Sequence, residues 1–178
     1  MGNIYQPTTG NVLYTSEERT RRDRSVWTKV QAVLAPVQFL VFLVSLALIL
    51  NYLATGAGQS VAEFSVVAKT LTLYAIMVTG SIWEKEVFGR YLFARPFFWE
   101  DVFSIVVLVL HTLYLVALYQ GALTGGQLMA LALAAYATYV INAAQFVWKL
   151  RMARREAASL RTIGVGDVRR LPVAGSAS

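Results

Sequence analysis

The sequence predicts an all-α integral membrane protein, a bundle of four transmembrane helices. Three observations carry that prediction. Hydrophobic residues make up 57% of the 178-residue chain and charged residues only 15%, where a soluble domain carries about 25% charge. Mean hydropathy is positive, at +0.54. No Asp, Glu, Lys or Arg occurs from Val30 to Ala62, a run of 33 residues, and about 20 helical residues cross the hydrocarbon core of a bilayer.

The elements follow in order. Residues 1–25 are polar and arginine-rich and read as a mobile extension. The first span covers about 30–53 and stops at the breaker-rich Thr55-Gly56-Ala57-Gly58. Its preceding polar stretch and long apolar run do not fit a cleaved signal peptide, so it is expected to stay in the mature protein. The second span, about 61–83, carries Lys69 inside it. The third covers 101–120 and the fourth 127–148, joined by the uncharged turn Gly121-Ala122-Leu123-Thr124-Gly125-Gly126. The membrane domain is thus 26–151, and 152–178, rich in Ala, Gly, Ser and Arg, reads as a flexible extension. Four spans with short connections make a helical bundle. The ten-residue alternating segments of an outer-membrane barrel are absent.

Orientation follows from the cations. Arg19, Arg21, Arg22, Arg24 and Lys29 open the first span, Lys85, Arg90 and Arg95 lie between spans two and three, and seven more follow the fourth span. The turns at 54–60 and 121–126 have none. Only Lys69 of the 16 Lys and Arg residues departs from this pattern. Both termini and the 84–100 connection are therefore expected on the cytoplasmic side of the membrane. The net charge of +6 sits at membrane edges, which points to lipid as a partner and away from nucleic acid.

Composition also removes chemistries. With no cysteine, thiolate metal sites and cysteine nucleophiles are excluded, and a single histidine excludes bis-histidine haem ligation and multi-histidine metal sites within one chain. There is no phosphate-cradling glycine loop, nucleophile elbow or His-Glu-x-x-His motif. No metal site and no cofactor of the chain's own is expected. What remains is a set of proton-transfer groups, Glu84, Glu100, Asp101 and His111, suited to adding or removing water, isomerisation or hydrolysis.

The 83–101 stretch mixes four carboxylates with seven aromatic residues, Trp83 and Trp99 among them. An aromatic belt with snorkelling charges is the bland account of it, and Glu100 and Asp101 also suit a helix N-terminus. Polar residues inside the spans are more informative, because lipid penalises them. Gln31, Gln38, Ser45 and Tyr52 are seven apart and share a face of span one. Lys69, Thr72, Thr79 and Trp83 mark span two, Ser104 and His111 span three. Thr138, Asn142, Gln145 and Lys149 form a stripe on span four, which also holds Tyr139. Ordinary interhelical hydrogen bonding is the bland account here; a shared polar interior is the functional one. Counted from the outer ends, Lys69 and His111 lie at similar depth, roughly 12–14 Å.

Several stretches resemble one family, the 3-vinyl (2-vinyl in older naming) bacteriochlorophyllide hydratases. They are Val26-Trp27-Thr28-Lys29-Val30-Gln31 running into Leu34-Ala35-Pro36-Val37-Gln38-Phe39, then Ile82-Trp83-Glu84-Lys85, Phe97-Phe98-Trp99-Glu100-Asp101, and His111-Thr112-Leu113-Tyr114-Leu115. The run from Ala134 to Arg154, with Tyr139, Asn142, Gln145, Lys149 and Arg151, completes a match over about residues 26–155. The resemblance implies an enzyme of bacteriochlorophyll biosynthesis that adds water to the 3-vinyl group of chlorophyllide a or 3-vinyl bacteriochlorophyllide a, giving a 3-(1-hydroxyethyl) product. Magnesium would arrive only within the substrate macrocycle, with His111 a candidate axial ligand. Other enzymes of that pathway are candidate partners.

Such a hydration needs an acid for the terminal vinyl carbon and a base for water. Glu84 is the expected donor, Asp101 or His111 the base, and Gln145 or Asn142 the residue that positions the water; Glu100 completes the acidic set. Lys85, Arg90 or Arg95 would pair with the substrate's propionate near the headgroups, and Trp83, Trp99, Gln38 and Tyr139 would line the ring. Two readings from other classes compete. A pigment-binding or assembly protein of the photosynthetic membrane would use the aromatics without the carboxylates. A small transporter would use Lys69 and His111 as an ion path, against which stands the lack of an inverted repeat.

Overall fold

The computed structural model describes residues 13–168. They form α1 (Ser16–Arg24), α2 (Val26–Thr55), α3 (Gln59–Phe88), a 3₁₀ turn at Arg95–Phe97, α4 (Phe98–Gln120) and α5 (Gly125–Val168), with no strand among the described residues. Four of these helices are long and apolar enough to cross a membrane, and each contains one expected span. The chain is an all-helical, multi-pass membrane protein.

The ends differ from the expectation. Residues 16–24, read as part of a mobile extension, are helical, because Thr15 and Glu18 make a reciprocal capping box: Thr15 N–H donates to Glu18 Oε2 at 2.7 Å and Glu18 N–H to Thr15 Oγ1 at 3.2 Å. Acids in its first turn and arginines in its last suit the helix dipole. Ser25 then breaks the chain and caps α2, accepting from Trp27 N–H at 3.2 Å while donating to Glu86 Oε2 at 2.6 Å. At the other end α5 continues past Trp148 to Val168, through Ala, Leu and Arg residues of high helix propensity. The remainder of both expected extensions, 1–12 and 169–178, lies outside the described residues.

The turn between α2 and α3 is only residues 56–58, and both Gly56 (φ 72°) and Gly58 (φ 84°) are left-handed. That conformation is available to glycine without the steric penalty other residues meet, so the two breakers set a tight hairpin. α4 and α5 make the second hairpin. Packing is most extensive within each pair; between pairs, α2 meets α5 and α3 meets α4 and α5 over shorter stretches.

Large apolar residues such as Leu40, Val44, Phe64, Leu71, Val109 and Ile141 point outward and are exposed, as a lipid-facing surface requires. Inside lie Phe42, Ile49, Val66, Val107, Met129 and Tyr136, together with polar Ser45, Thr70, Lys69 and His111. The polar seam of α2 turns inward at Gln38 and Ser45, whereas Gln31 and Tyr52 bond to Thr79 and Gln59 of α3. Ser45 accepts from Tyr136 at 2.6 Å, and its Oγ lies 2.7 Å from that of Ser65. The seam expected on α3 splits. Lys69 faces the interior, whereas Thr79 accepts from Gln31 at 2.7 Å and Trp83 donates to Thr28 at 2.9 Å, so both serve the α2–α3 hairpin. Thr72 bonds back to the Lys69 carbonyl. A second apolar cluster, Tyr14, Val87 and Phe97 with Trp83, Phe88 and Phe146, closes the end of the bundle that carries the cations.

Candidate functional site

At this basic end Glu84 occupies the last turns of α3 and Asp101 the first turn of α4. The connection through residues 89–97 reverses the chain and brings the two side chains together. Both are buried, 5% and 3% exposed, and their carboxyl groups lie within hydrogen-bonding reach of each other. The connection supplies two further donors from successive peptide units. Phe93 N–H donates to Asp101 Oδ2 at 2.6 Å, and Ala94 N–H to Glu84 Oε2 at 3.3 Å. Phe93 has φ 59°, the one left-handed non-glycine residue among those described. That conformation is unfavourable for a bulky side chain, and here it turns adjacent N–H groups toward the two carboxyls, as in the backbone nests that bind anions.

A hydrogen bond between two carboxyl groups contains one proton, and two bare carboxylates at this separation would repel each other. A pair that shares one proton can act as an acid beside a base. Glu100, next in sequence, is committed elsewhere. Its Oε2 accepts from Lys149 Nζ at 2.8 Å, and that ammonium lies 5.1 Å from the centroid of the Phe97 ring. This half-buried ion pair ties α4 to α5 beside the carboxyl pair and leaves Glu100 an anchor.

The polar seam continues up the bundle. Asn142 Nδ2 donates to Ser104 Oγ at 2.9 Å, one turn along α4 from Asp101, while Asn142 Oδ1 and Gln145 Oε1 are buried with no hydrogen-bond partner. His111 lies ten residues beyond Asp101, about 15 Å along the helix axis at 1.5 Å per residue. It does not join the carboxyl pair. Its Nδ1 is 2.8 Å from the Val107 carbonyl; because a carbonyl only accepts, Nδ1 carries the proton and Nε2 is a bare lone pair, buried and unpartnered. The ring stacks on Tyr136, with centroids 5.8 Å apart. Lys69 is an electrostatic neighbour of His111, in agreement with the depth expected from counting. Gln38 and Tyr139 are buried among these groups, 4% and 8% exposed.

Other expected residues lie apart. Trp99 is 65% exposed on the outer surface against Phe98, and Trp83 closes the basic end between Phe88 and Phe97. Lys85 is exposed and donates to the Gly89 carbonyl at 3.0 Å. Arg90 and Arg95 line a surface cleft of about 350 Å³ with Glu18, Phe88, Ala94 and Pro96. Sequence reasoning left out Tyr114 and Tyr136. Tyr114 had a signal, being three residues after His111 and so on the same helical face. The role of the Phe93 and Ala94 backbone had none, since it depends on a dihedral angle.

A family model described as 2-vinyl bacteriochlorophyllide hydratase (BCHF) matches residues 14–152. The chain is 66% identical over 142 residues to the 2-vinyl bacteriochlorophyllide hydratase of Cereibacter sphaeroides, covering 80% of this chain and 88% of that protein. It is 61% identical over 159 residues to the protein of the same name from Rhodobacter capsulatus, covering 89% and 92%. No solved structure matches it.

Proposed function

The chain belongs to the 2-vinyl bacteriochlorophyllide hydratase family, and from that premise we propose how its carboxyl pair performs the hydration. The protein is a hydro-lyase of bacteriochlorophyll biosynthesis that acts on 2-vinyl bacteriochlorophyllide. The observation that carries the site is the approach of Glu84 to Asp101, both buried at the end of the bundle.

Glu84 gives its proton to the terminal carbon of the vinyl group, where the double-bond electron pair forms the new C–H bond. Positive charge develops on the carbon attached to the ring and spreads into the macrocycle. A water oxygen attacks that carbon while Asp101 takes one of the water's protons, leaving a 1-hydroxyethyl group. The proton now on Asp101 crosses the hydrogen bond to Glu84, and the pair is ready for the next molecule. Acid and base in one contact thus reset each other, and no cofactor is needed. Ala94 N–H and Phe93 N–H hold the two carboxyls in register throughout, while the unpartnered Gln145 and Asn142 oxygens orient water.

The ring lies between the hairpins, where packing is least extensive. His111 then offers its Nε2 lone pair to the magnesium that the substrate carries, with Nδ1 fixed on Val107; this is the usual support for a metal-bound imidazole. His111 is in this reading a ligand for the substrate and not the base for water. The basic end faces the cytoplasm of a photosynthetic inner membrane, where other enzymes of the pathway would deliver and collect pigment.

The test is turnover of chlorophyllide a by the purified protein in lipid nanodiscs with isotopically labelled water. A product carrying the labelled oxygen is expected from the native protein and is lost in Glu84→Gln. Binding without any hydrated product would instead make the chain a pigment-binding protein.

A further inference from the structure

Lys69 takes no part in the acid–base step, and the bundle gives it no counter-ion. It sits well inside α3, 0% exposed, with Nζ 3.9 Å from the centroid of the Tyr139 ring and no hydrogen-bond acceptor. Among the described residues no carboxylate lies within ion-pair distance of it. A cation at this depth of a membrane is expensive, and such residues face an interior where a partner or a substrate meets them. An aromatic face compensates part of that, but it is not an anion. The neighbourhood is equally incomplete. The Tyr114 hydroxyl is fully buried without a partner, and His111, one turn away on α4, stacks on Tyr136. The Lys69 ammonium and the Tyr114 hydroxyl are both donors, and neither has an acceptor.

The missing acceptor fits one group of the substrate. A chlorophyllide is a free acid, and its propionate leaves the pyrrole ring next to the one that bears the vinyl group, from the edge turned away from it. On the reading above, the vinyl group sits at Glu84 and Asp101 and magnesium at His111. With magnesium at the depth that His111 shares with Lys69, the propionate arm extends from the ring to Lys69. We propose that Lys69 is the carboxylate anchor of the substrate. This replaces the expectation that Lys85, Arg90 or Arg95 holds the propionate. Lys85 is satisfied by the Gly89 carbonyl, and the two arginines line an outer cleft shared with Glu18. Bringing the substrate's anion to a buried cation makes each charge the other's compensation, and it makes the enzyme select the acid over esterified pigments.

The assay is an absorbance titration of nanodisc-embedded protein with chlorophyllide and with its propionate methyl ester. Native protein is expected to bind the acid at least about tenfold tighter, equivalent to 1.4 kcal/mol. Lys69→Met should bind the two equally, Lys69→Arg should restore the preference, and Arg90→Gln/Arg95→Gln should keep it. Lys69→Gln replaces the Met variant if that one fails to accumulate in membranes. The anchor is overturned if native protein shows no preference, if Lys69→Met keeps it, or if the double arginine variant loses it. Hydration is scored separately: a preference that follows Lys69 in a protein that hydrates neither pigment would sink the catalytic reading and leave the anchor standing.

Discussion

Replacing Glu84 by glutamine isolates the proton from everything else that side chain does. The amide oxygen can still accept from Ala94 N–H, now at 3.3 Å, and the amide nitrogen can donate to Asp101, which keeps its own bond from Phe93 N–H at 2.6 Å. Shape, burial and the hydrogen bonds of the connection are retained, so the bundle should insert and fold. What disappears is the transferable proton. Losing a positioned acid or base costs about 10² to 10⁴ in rate, or roughly 3–5 kcal/mol of barrier at 1.36 kcal/mol per factor of ten. Asp101→Asn should cost a similar factor by removing the base. Because the two act as one unit, the double variant should be little worse than either single one. The assay is initial-rate formation of the hydroxyethyl pigment, followed by chromatography, with pigment binding measured in parallel. If both single variants hydrate within about threefold of the native rate, well short of the loss expected for an acid or base, the carboxyl pair is structural and the chemistry lies elsewhere.

Four further outcomes are expected. Because the chain has no cysteine, single cysteines report topology cleanly: Ala57→Cys and Gly126→Cys should react with an impermeant thiol reagent in intact cells and Arg155→Cys should not, the reverse pattern inverting the orientation. Gly126 is the better probe than Gly125, where an added Cβ would meet the Tyr52 hydroxyl at 2.5 Å. His111→Phe should bind magnesium and metal-free pigment alike while native protein prefers the magnesium form; an unchanged preference removes His111 as the ligand. Tyr136→Phe deletes the donor to Ser45 and should lower stability by about 0.6–1.7 kcal/mol, read from thermal unfolding in detergent, with no shift at all meaning that this interhelical bond contributes nothing. Purified, pigment-free protein should show no haem, flavin or iron–sulfur absorption, and a stoichiometric chromophore would contradict a cofactor-free hydration.

The spans were legible because lipid imposes a length and a composition that no local detail can override. Helix ends were less so. The capping box of α1 was written in Thr15 and Glu18, yet the arginines around it read as a solvated extension. At the site, the convergence of Glu84 and Asp101 followed from their positions on either side of one connection. Whether Glu100 joined them did not, because Lys149, which claims it, stands 49 residues away and reaches it only through the packing of α4 on α5. The inward direction of Lys69 was left open, because a long side chain also relieves its cost in lipid by snorkelling outward; that Thr79 and Trp83 turn to α2 depended on Gln31 and Thr28, on another helix.

The two-hairpin construction also bears on how the protein is made. A lysine in the middle of α3 weakens that helix as an independent passenger through the translocon. α2 is uncharged from Val30 onward and joined to α3 by a three-residue turn, so it can hold its partner in the bilayer while α3 partitions sideways against it. Gln31 with Thr79 and Thr28 with Trp83 fasten that first pair before α4 exists. Tyr139, over which the Lys69 ammonium finally rests, belongs to the last helix synthesised. Lys69 therefore spends the interval between the two hairpins without its aromatic cover.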